Sequence, residues 1–201
     1  LLNFKTGMKA LDVGGGIGKA HIALSKSGFD CTSIEPSNTF RELAMTKFDI
    51  SAEKFLLCSI EDAYLPEQEF DFITFGAVLE HLHDPSDSII KAMSWLKDGG
   101  IIQIEVPSSA YLISKLSNLY FKTRGTNHVT NLSPMHEPFH LYEFGLKSFE
   151  KHAQRNNYSI THFEYLVFSI YNVPKILHSF LSLVMNKTNT GMQLSIWLRK
   201  N

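Results

Sequence analysis

The sequence predicts an α/β fold with a parallel sheet covered by helices on both faces, and three observations predict it. Short β-branched and apolar runs alternate with helical patterns through the first half of the chain. The first of those runs ends in a cluster of glycines that opens a helix. With 201 residues, 44% of them hydrophobic and 19% charged, the chain has apolar material for one substantial core and the length of one domain.

Taken in order, Met8 to Val13 reads as the first strand. Gly18 to Ser27 follows with Ala20, Ile22, Ala23 and Leu24 at helical spacing, and it stops at Gly28, a natural residue after a helix end. Asp30 to Glu35 is the second strand, closed by Pro36, and Ser37 is placed to cap a helix through Phe48. Lys54 to Cys58 and Phe70 to Phe75 are the third and fourth strands. Asp84-Pro85-Ser86 starts a helix reaching Leu96, and Asp98-Gly99-Gly100 turns the chain into a fifth strand, Ile101 to Val106. Beyond Pro107 the alternation lapses. Residues 108–140 combine an amphipathic stretch (Leu112, Leu116, Leu119, Tyr120) with a polar segment rich in Asn, Thr, His and Pro, which reads as an insertion or lid over the active site. A helix from Glu143 to Arg155, an aromatic strand from His162 to Phe168, an apolar helix from Lys175 to Met185 and a last strand from Gln193 to Arg199 complete the chain.

The charge balance restricts the partners. Nineteen Lys plus Arg against twenty Asp plus Glu leave a net charge of −1, so no global basic field favours nucleic acid as the main partner. Cys31 and Cys58 fall in apolar segments without a second pair at metal-ligand spacing, which suits buried free thiols in a reducing compartment. No apolar run reaches the ~20 residues that span a bilayer, and the opening Leu-Leu-Asn-Phe-Lys lacks the order of a secretion signal. A cytoplasmic location is expected. The longest apolar patch, Ile176 to Met185, is interrupted by His178, Ser179 and Ser182, a pattern for a packed or interfacial helix. A start without Met, directly before a strand, suggests residues upstream of Leu1.

The glycine run carries the strongest functional signal. A dinucleotide loop requires Gly-x-Gly-x-x-Gly, but Lys19 or His21 stands at the third position, depending on the starting glycine. The spacing is Gly14-x-Gly16-x-Gly18, which disfavours a nicotinamide oxidoreductase. Glu35 ends the second strand roughly 20 residues on, where a carboxylate can accept both ribose hydroxyls of an adenosine.

Five ordered segments then carry a resemblance: Leu-Asp-Val-Gly-Gly-Gly-Ile-Gly at 11–18, Ser-Ile-Glu-Pro at 33–36, Ser-Ile-Glu-Asp at 59–62, Phe-Asp-Phe-Ile-Thr-Phe-Gly-Ala-Val-Leu-Glu-His-Leu-His-Asp-Pro at 70–85, and Leu-Lys-Asp-Gly-Gly-Ile-Ile-Gln-Ile-Glu-Val-Pro at 96–107. With them nearly the whole chain resembles the class I S-adenosylmethionine-dependent methyltransferases, in the branch grouped with ubiquinone and menaquinone biosynthesis methyltransferases. The resemblance implies a Rossmann-like, doubly wound, seven-stranded sheet, mostly parallel with an antiparallel last strand. It implies S-adenosylmethionine as cofactor and S-adenosylhomocysteine as product. Gly16 and Gly18 would belong to the cofactor loop, Asp12 and Gly14 would lie beside the methionine portion, Glu35 would hold the ribose, Ser59 and Ile60 would meet the adenine, and Phe75 and Gly76 would line the methionine side. Relatives often carry Asp where this chain has Ser59, which leaves the adenine amine a weaker acceptor, while the Ile60 N–H still serves the ring.

Transfer from a sulfonium is an in-line displacement that needs alignment above all, and a base only when the acceptor has a proton to lose. His81 and His83 follow the fourth strand, and His136 and His140 end the insertion, so both pairs border the expected cleft. His140 is preferred to His136 as catalytic base because a helix begins soon after it, with Phe139, Tyr111 and Tyr120 excluding water. Glu80-His81 with a later histidine resembles the Glu-x-x-Glu-His metal site of small-RNA 2′-O-methyltransferases and some quinone O-methyltransferases, but Ala77 stands at the first Glu, and no metal is assigned. The Asp/Asn-Pro-Pro-aromatic motif of base methylation is absent from 75–78. The expected function is methyl transfer to a small-molecule or glycan-precursor acceptor, at oxygen. The alternative is a cofactor-binding protein of the same fold without turnover.

Overall fold

The computed structural model describes residues 2–130, 139–168, 170 and 173–201. Its strands are β1 (Lys9–Val13), β2 (Asp30–Glu35), β3 (Phe55–Leu57), β4 (Phe70–Gly76), β5 (Leu96–Pro107), β6 (Tyr158–Leu166) and β7 (Gln193–Lys200). Its helices are α1 (Lys19–Lys26), α2 (Asn38–Phe48), α3 (Pro85–Trp95), α4 (Leu112–Thr123), α5 (Leu146–Asn156) and α6 (His178–Thr188), with short 3-10 turns at Leu79–His81 and Lys175–Leu177. The sheet runs β3-β2-β1-β4-β5-β7-β6. Only β7 is antiparallel to its neighbours. The expected doubly wound architecture is therefore the observed one.

The first half follows the local signals. The Ser37 hydroxyl accepts the Phe40 N–H and caps α2, and the Asp84 carboxylate does the same for α3 through the Asp87 N–H, with Pro85 in the first turn. The differences lie where tertiary pairing extends or trims an element. β5 takes in the Asp98-Gly99-Gly100 turn, because Leu96 already pairs with Phe70 before Ile101 resumes opposite Phe72; the glycines form a bulge inside the strand. β6 starts at Tyr158, four residues ahead of His162, since pairing with β7 begins at Lys200. α5 begins at Leu146 after Gly145, later than Glu143, and the last helical segment is a 3-10 turn passing into α6.

The order of the strands reverses between β1 and β4, which leaves a crevice beyond their C-terminal ends, the place where open α/β sheets bind ligands. Beneath it lies the main core: Leu11, Ile73, Phe75, Ile102, Ile104 and Ile196 are fully enclosed, with α3 and α5 contributing Trp95 and Phe149. Phe75 stands between Val13 and Ile104 in the sheet. Replacing it by Ala should destabilise the fold by about 3–5 kcal/mol through lost burial and a cavity. A denaturant midpoint unchanged from the parent would remove Phe75 from the core.

Candidate functional site

The crevice is a cleft of about 380 Å³. On one side stand the glycine loop and the β2–α2 junction, and on the other the segment that follows β4. Gly14, Gly16, Glu35, Ser59, Ile60 and Gly76, all expected cofactor residues, line it together. Asp12, Gly18 and Phe75 do not. Gly18 packs against Ala44, Ile50 and Phe48, and Phe75 lies in the core.

The loop has its shape for identifiable reasons. Gly14 has φ +71, and a Cβ there would come within 2.4 Å of a Val78 methyl, so the loop can lean on the segment after β4 only with glycine. Gly16 has φ +50, yet its Cβ direction meets nothing closer than the Gly14 carbonyl at 4.0 Å. The space above Gly16 thus belongs to the cleft. Facing Gly14, Ala77 is a non-glycine residue at φ +55 whose N–H donates to the Glu105 carbonyl at 2.9 Å. Such a backbone is uncommon and clusters at binding sites.

Glu35 is the polar centre of the cleft, and it is only 5% exposed. The Gly16 N–H donates to Oε2 and the Ser37 N–H to Oε1, each at 2.8 Å. Both oxygens are oriented by backbone and retain acceptor capacity for further donors. The Ser59 hydroxyl donates to Asp62 at 2.9 Å and accepts the Asp62 N–H at 3.2 Å, so the carboxylate missing at position 59 is present one turn later. The sequence reading missed Phe40, Cys58, Ala77 and Val78, which also line the cleft. Phe40 had a signal, a large apolar residue in the first turn of α2, directly after Glu35-Pro36-Ser37. Both cysteines are free thiols, Cys31 buried and Cys58 half-buried.

Asp12 points instead into a buried chain in which the Ser33 hydroxyl donates to its carboxylate at 3.3 Å and shares a 2.9 Å hydrogen bond with His21 Nδ1. The His21 backbone also donates to this carboxylate, which ties β1 to the first turn of α1.

The histidine end of the cleft is built where residues 139–142 dock on residues 80–83. The Leu141 N–H donates to the Glu80 carbonyl at 2.8 Å, the Tyr142 hydroxyl to the His83 carbonyl at 2.9 Å, and His81 Nδ1 lies 2.9 Å from the Phe139 carbonyl. A carbonyl only accepts, so Nδ1 carries the proton and the neutral ring keeps its lone pair on Nε2. His81 lines the cleft, and His140 meets it edge-on with ring centroids 4.9 Å apart. Glu80, His81 and His140 offer ligand atoms that all lie within 4.8 Å of one another. Burial pushes the Glu80 carboxyl above its usual range. His136 lies outside the described residues. Tyr111 is buried with Ile170 and Met185 beside α6, away from the cleft wall, and Tyr120 is exposed on α4.

Comparison with known proteins agrees with this geometry. A family model described as a methyltransferase domain matches residues 1–163. The uncharacterized protein Rv1509 of Mycobacterium tuberculosis is 29% identical over 117 residues, 55% of this chain. The chain matches only 40% of that relative's length. Among solved structures, a SAM-dependent methyltransferase of Methanosarcina mazei superposes with a TM-score of 0.69 at 18% identity, covering 98% of this chain and 94% of its own. Phosphoethanolamine N-methyltransferase 2 of Haemonchus contortus, in complex with S-adenosyl-L-methionine, superposes with a TM-score of 0.66 at 17% identity, covering 98% and 49%.

Desolvation raises Asp12 from 3.8 to about 6, with Ser33 and the His21 N–H opposing and Glu35 adding to the rise. A carboxyl whose folded value exceeds its unfolded one makes the folded chain bind more protons between the two, so stability falls as pH rises across that window. The loss then persists, at up to roughly 3 kcal/mol. Asp12→Asn carries no such penalty. Its melting temperature relative to the parent should climb by roughly 5–10 °C from about pH 4 to about pH 7. A difference that stays flat across that interval would show an ordinary carboxyl.

Proposed function

The chain belongs to the methyltransferase-domain family, and from that premise we propose that it moves the methyl group of S-adenosylmethionine to an oxygen of a small-molecule or glycan-precursor acceptor. The observation that carries the cofactor assignment is the Glu35 carboxylate, fixed by the Gly16 and Ser37 N–H groups at the edge of a cleft left open above Gly16. In this reading Glu35 accepts the ribose hydroxyls, and Ser59, held by Asp62, and the Ile60 N–H meet the adenine. Gly14 and Gly76 border the methionine arm. Phe40 supplies an apolar face beside the ribose and adenine end.

The acceptor end is assigned to the segment returning from 108–140, which would act as the lid of a single domain. Displacement at the methyl carbon requires the acceptor oxygen in line with the sulfur, and that oxygen must shed its proton. The contact between the His81 and His140 rings beside the cleft supports this reading. His81 presents an Nε2 lone pair from the cleft wall, and His140 is held by the hydrogen bonds that dock residues 139–142 on residues 80–83. His140 is the base of this proposal, with His81 as the ring that places it.

A second reading of the same residues is favoured by one observation: Glu80, His81 and His140 form a compact ligand set, and Glu80 Oε2 is buried without a hydrogen-bond partner among the described residues. A carboxylate and two imidazoles fit a divalent transition-metal ion, and the Nδ1 bond to Phe139 would orient His81 as a ligand. Such an ion would hold and polarise the acceptor oxygen.

Glu35→Ala should weaken S-adenosylmethionine binding tenfold or more by titration calorimetry, from loss of a charge-assisted acceptor worth about 1.5–3 kcal/mol. Unchanged affinity in the folded variant would remove Glu35 from the ribose. His140→Ala should lower turnover of labelled methyl onto hydroxylated acceptors by ~100-fold, while cofactor affinity stays within about a factor of two. Normal turnover would leave alignment alone to carry the reaction. The metal reading predicts in addition that Mn²⁺ or Zn²⁺ binds the parent measurably and that Glu80→Gln abolishes this binding. Calorimetric silence with both ions would reject it.

A further inference from the structure

The apolar side chains left exposed at the far end of the sheet are concentrated on two elements. On α4, Leu116, Leu119 and Tyr120 recur at helical spacing and are 51%, 59% and 59% exposed. On the 3-10 turn and α6, Ile176, Phe180 and Leu183 form a second stripe, 88%, 63% and 54% exposed. The two elements form one body. The Leu112 N–H donates to the Thr190 carbonyl, and Tyr111 packs with Met185 from α6 in a cluster of their own.

Charge sorts with these stripes. Residues 106–136 and 165–201 contain no Asp or Glu, although the whole chain has a net charge of −1. Lys115, Lys122 and Arg124 accompany the α4 stripe, and Lys175 and Lys187 stand at the two ends of the α6 stripe. On the two elements themselves the apolar stripes are accompanied by cations alone, while Glu143 and Glu150 share a pocket with Lys115 and Asn189; apolar helical stripes flanked by cations are the signature of helices that lie in a lipid interface. Among the described residues no helix is long and apolar enough to cross a membrane.

We propose that α4 and the 3-10 turn with α6 form a docking surface for an anionic lipid bilayer. The charge argues for that occupant. A second copy would bring the same cations face to face across a self-complementary interface, where like charges repel. Anionic headgroups complement them. The placement agrees: Pro107, Leu166 and Gln193 meet at one edge of the sheet, and Val13 and Gly76 end at that same edge. α4 and α6 therefore connect to the edge of the sheet at which the cleft opens, and in this proposal the acceptor would come from the headgroup layer.

The test is co-sedimentation of the full chain with vesicles of phosphatidylcholine alone, or with about one third phosphatidylglycerol. It uses neither cofactor nor acceptor, so its result is independent of the methyltransferase reading. Binding is expected to the anionic vesicles at least about tenfold above the neutral ones, and to weaken as salt rises. Lys175→Glu with Lys187→Glu should reduce it by tenfold or more, and Phe180→Glu with Leu183→Glu should abolish it. Both variants should keep the parent melting temperature, since these side chains are exposed. The inference is overturned by failure to bind anionic vesicles, by equal binding to neutral ones, or by a dimer in sedimentation equilibrium that Phe180→Glu with Leu183→Glu dissolves.

Discussion

The clamp on the Glu35 carboxylate is the interaction on which the cofactor end of the molecule depends. One oxygen takes the Gly16 N–H from the loop after β1, and the other takes the Ser37 N–H from the start of α2. One buried anion thus joins two strand ends and gives donors in otherwise irregular backbone a partner. The clamp continues the backbone bonds by which the Gly14 and Gly15 N–H groups donate to the Ile34 carbonyl on the same side. Its opposite flank rests on Val78, against which only glycine at position 14 fits. The cleft is accordingly pre-formed, with its polar group aimed by the backbone before any ligand arrives, and pre-organisation of this kind spares a ligand the entropy of ordering the site.

The first half of the fold was legible because each of its signals is local. Strands buried on both faces appear as apolar runs, and the caps at Ser37 and Asp84 and the glycines at strand ends act over three or four residues. The second half was legible in its elements and less so in their limits. The early start of β6 depends on pairing with a strand some 40 residues later, and the bulge in β5 depends on its register with β4, and no local pattern records either. The seven-strand order came from resemblance, since periodicity does not encode which strands are neighbours.

The candidate site was legible to a different degree at its two ends. Gly14, Gly16, Glu35, Ser59, Ile60 and Gly76 line one cleft because each sits at a strand end on the side of the switch point. Asp12 and Phe75 belong to the same motifs but stand inside their strands, two residues before Gly14 and one before Gly76, so motif membership alone does not bring them to the cleft wall. Asp12 serves the buried chain through Ser33 and His21, and Phe75 serves the core. At the histidine end the sequence favours His140 because it predicts a helix close behind it. The helix starts later, at Leu146, and what fixes His140 is the docking of its neighbours on residues 80–83. That contact joins residues about 60 apart in the chain, which a linear reading does not reach.

Charge and apolarity are also divided along the chain in a way that bears on how the two ends of the cleft work together. Glu35, Glu80 and Asp62 all come from the first half, whereas the α4 and α6 region carries cations only. A carboxylate is acceptor-only and suits the hydroxyls and cationic centre of the proposed donor. An imidazole whose tautomer is set by a backbone carbonyl, as His81 is by Phe139, can accept a proton but need not carry charge before the acceptor arrives. Phe139 and His140 follow α4 in the chain and meet residues of the first half at the histidine end. The acceptor end of the proposed site is thus assembled by contacts between residues distant in the chain, and the cofactor end by the clamp on Glu35.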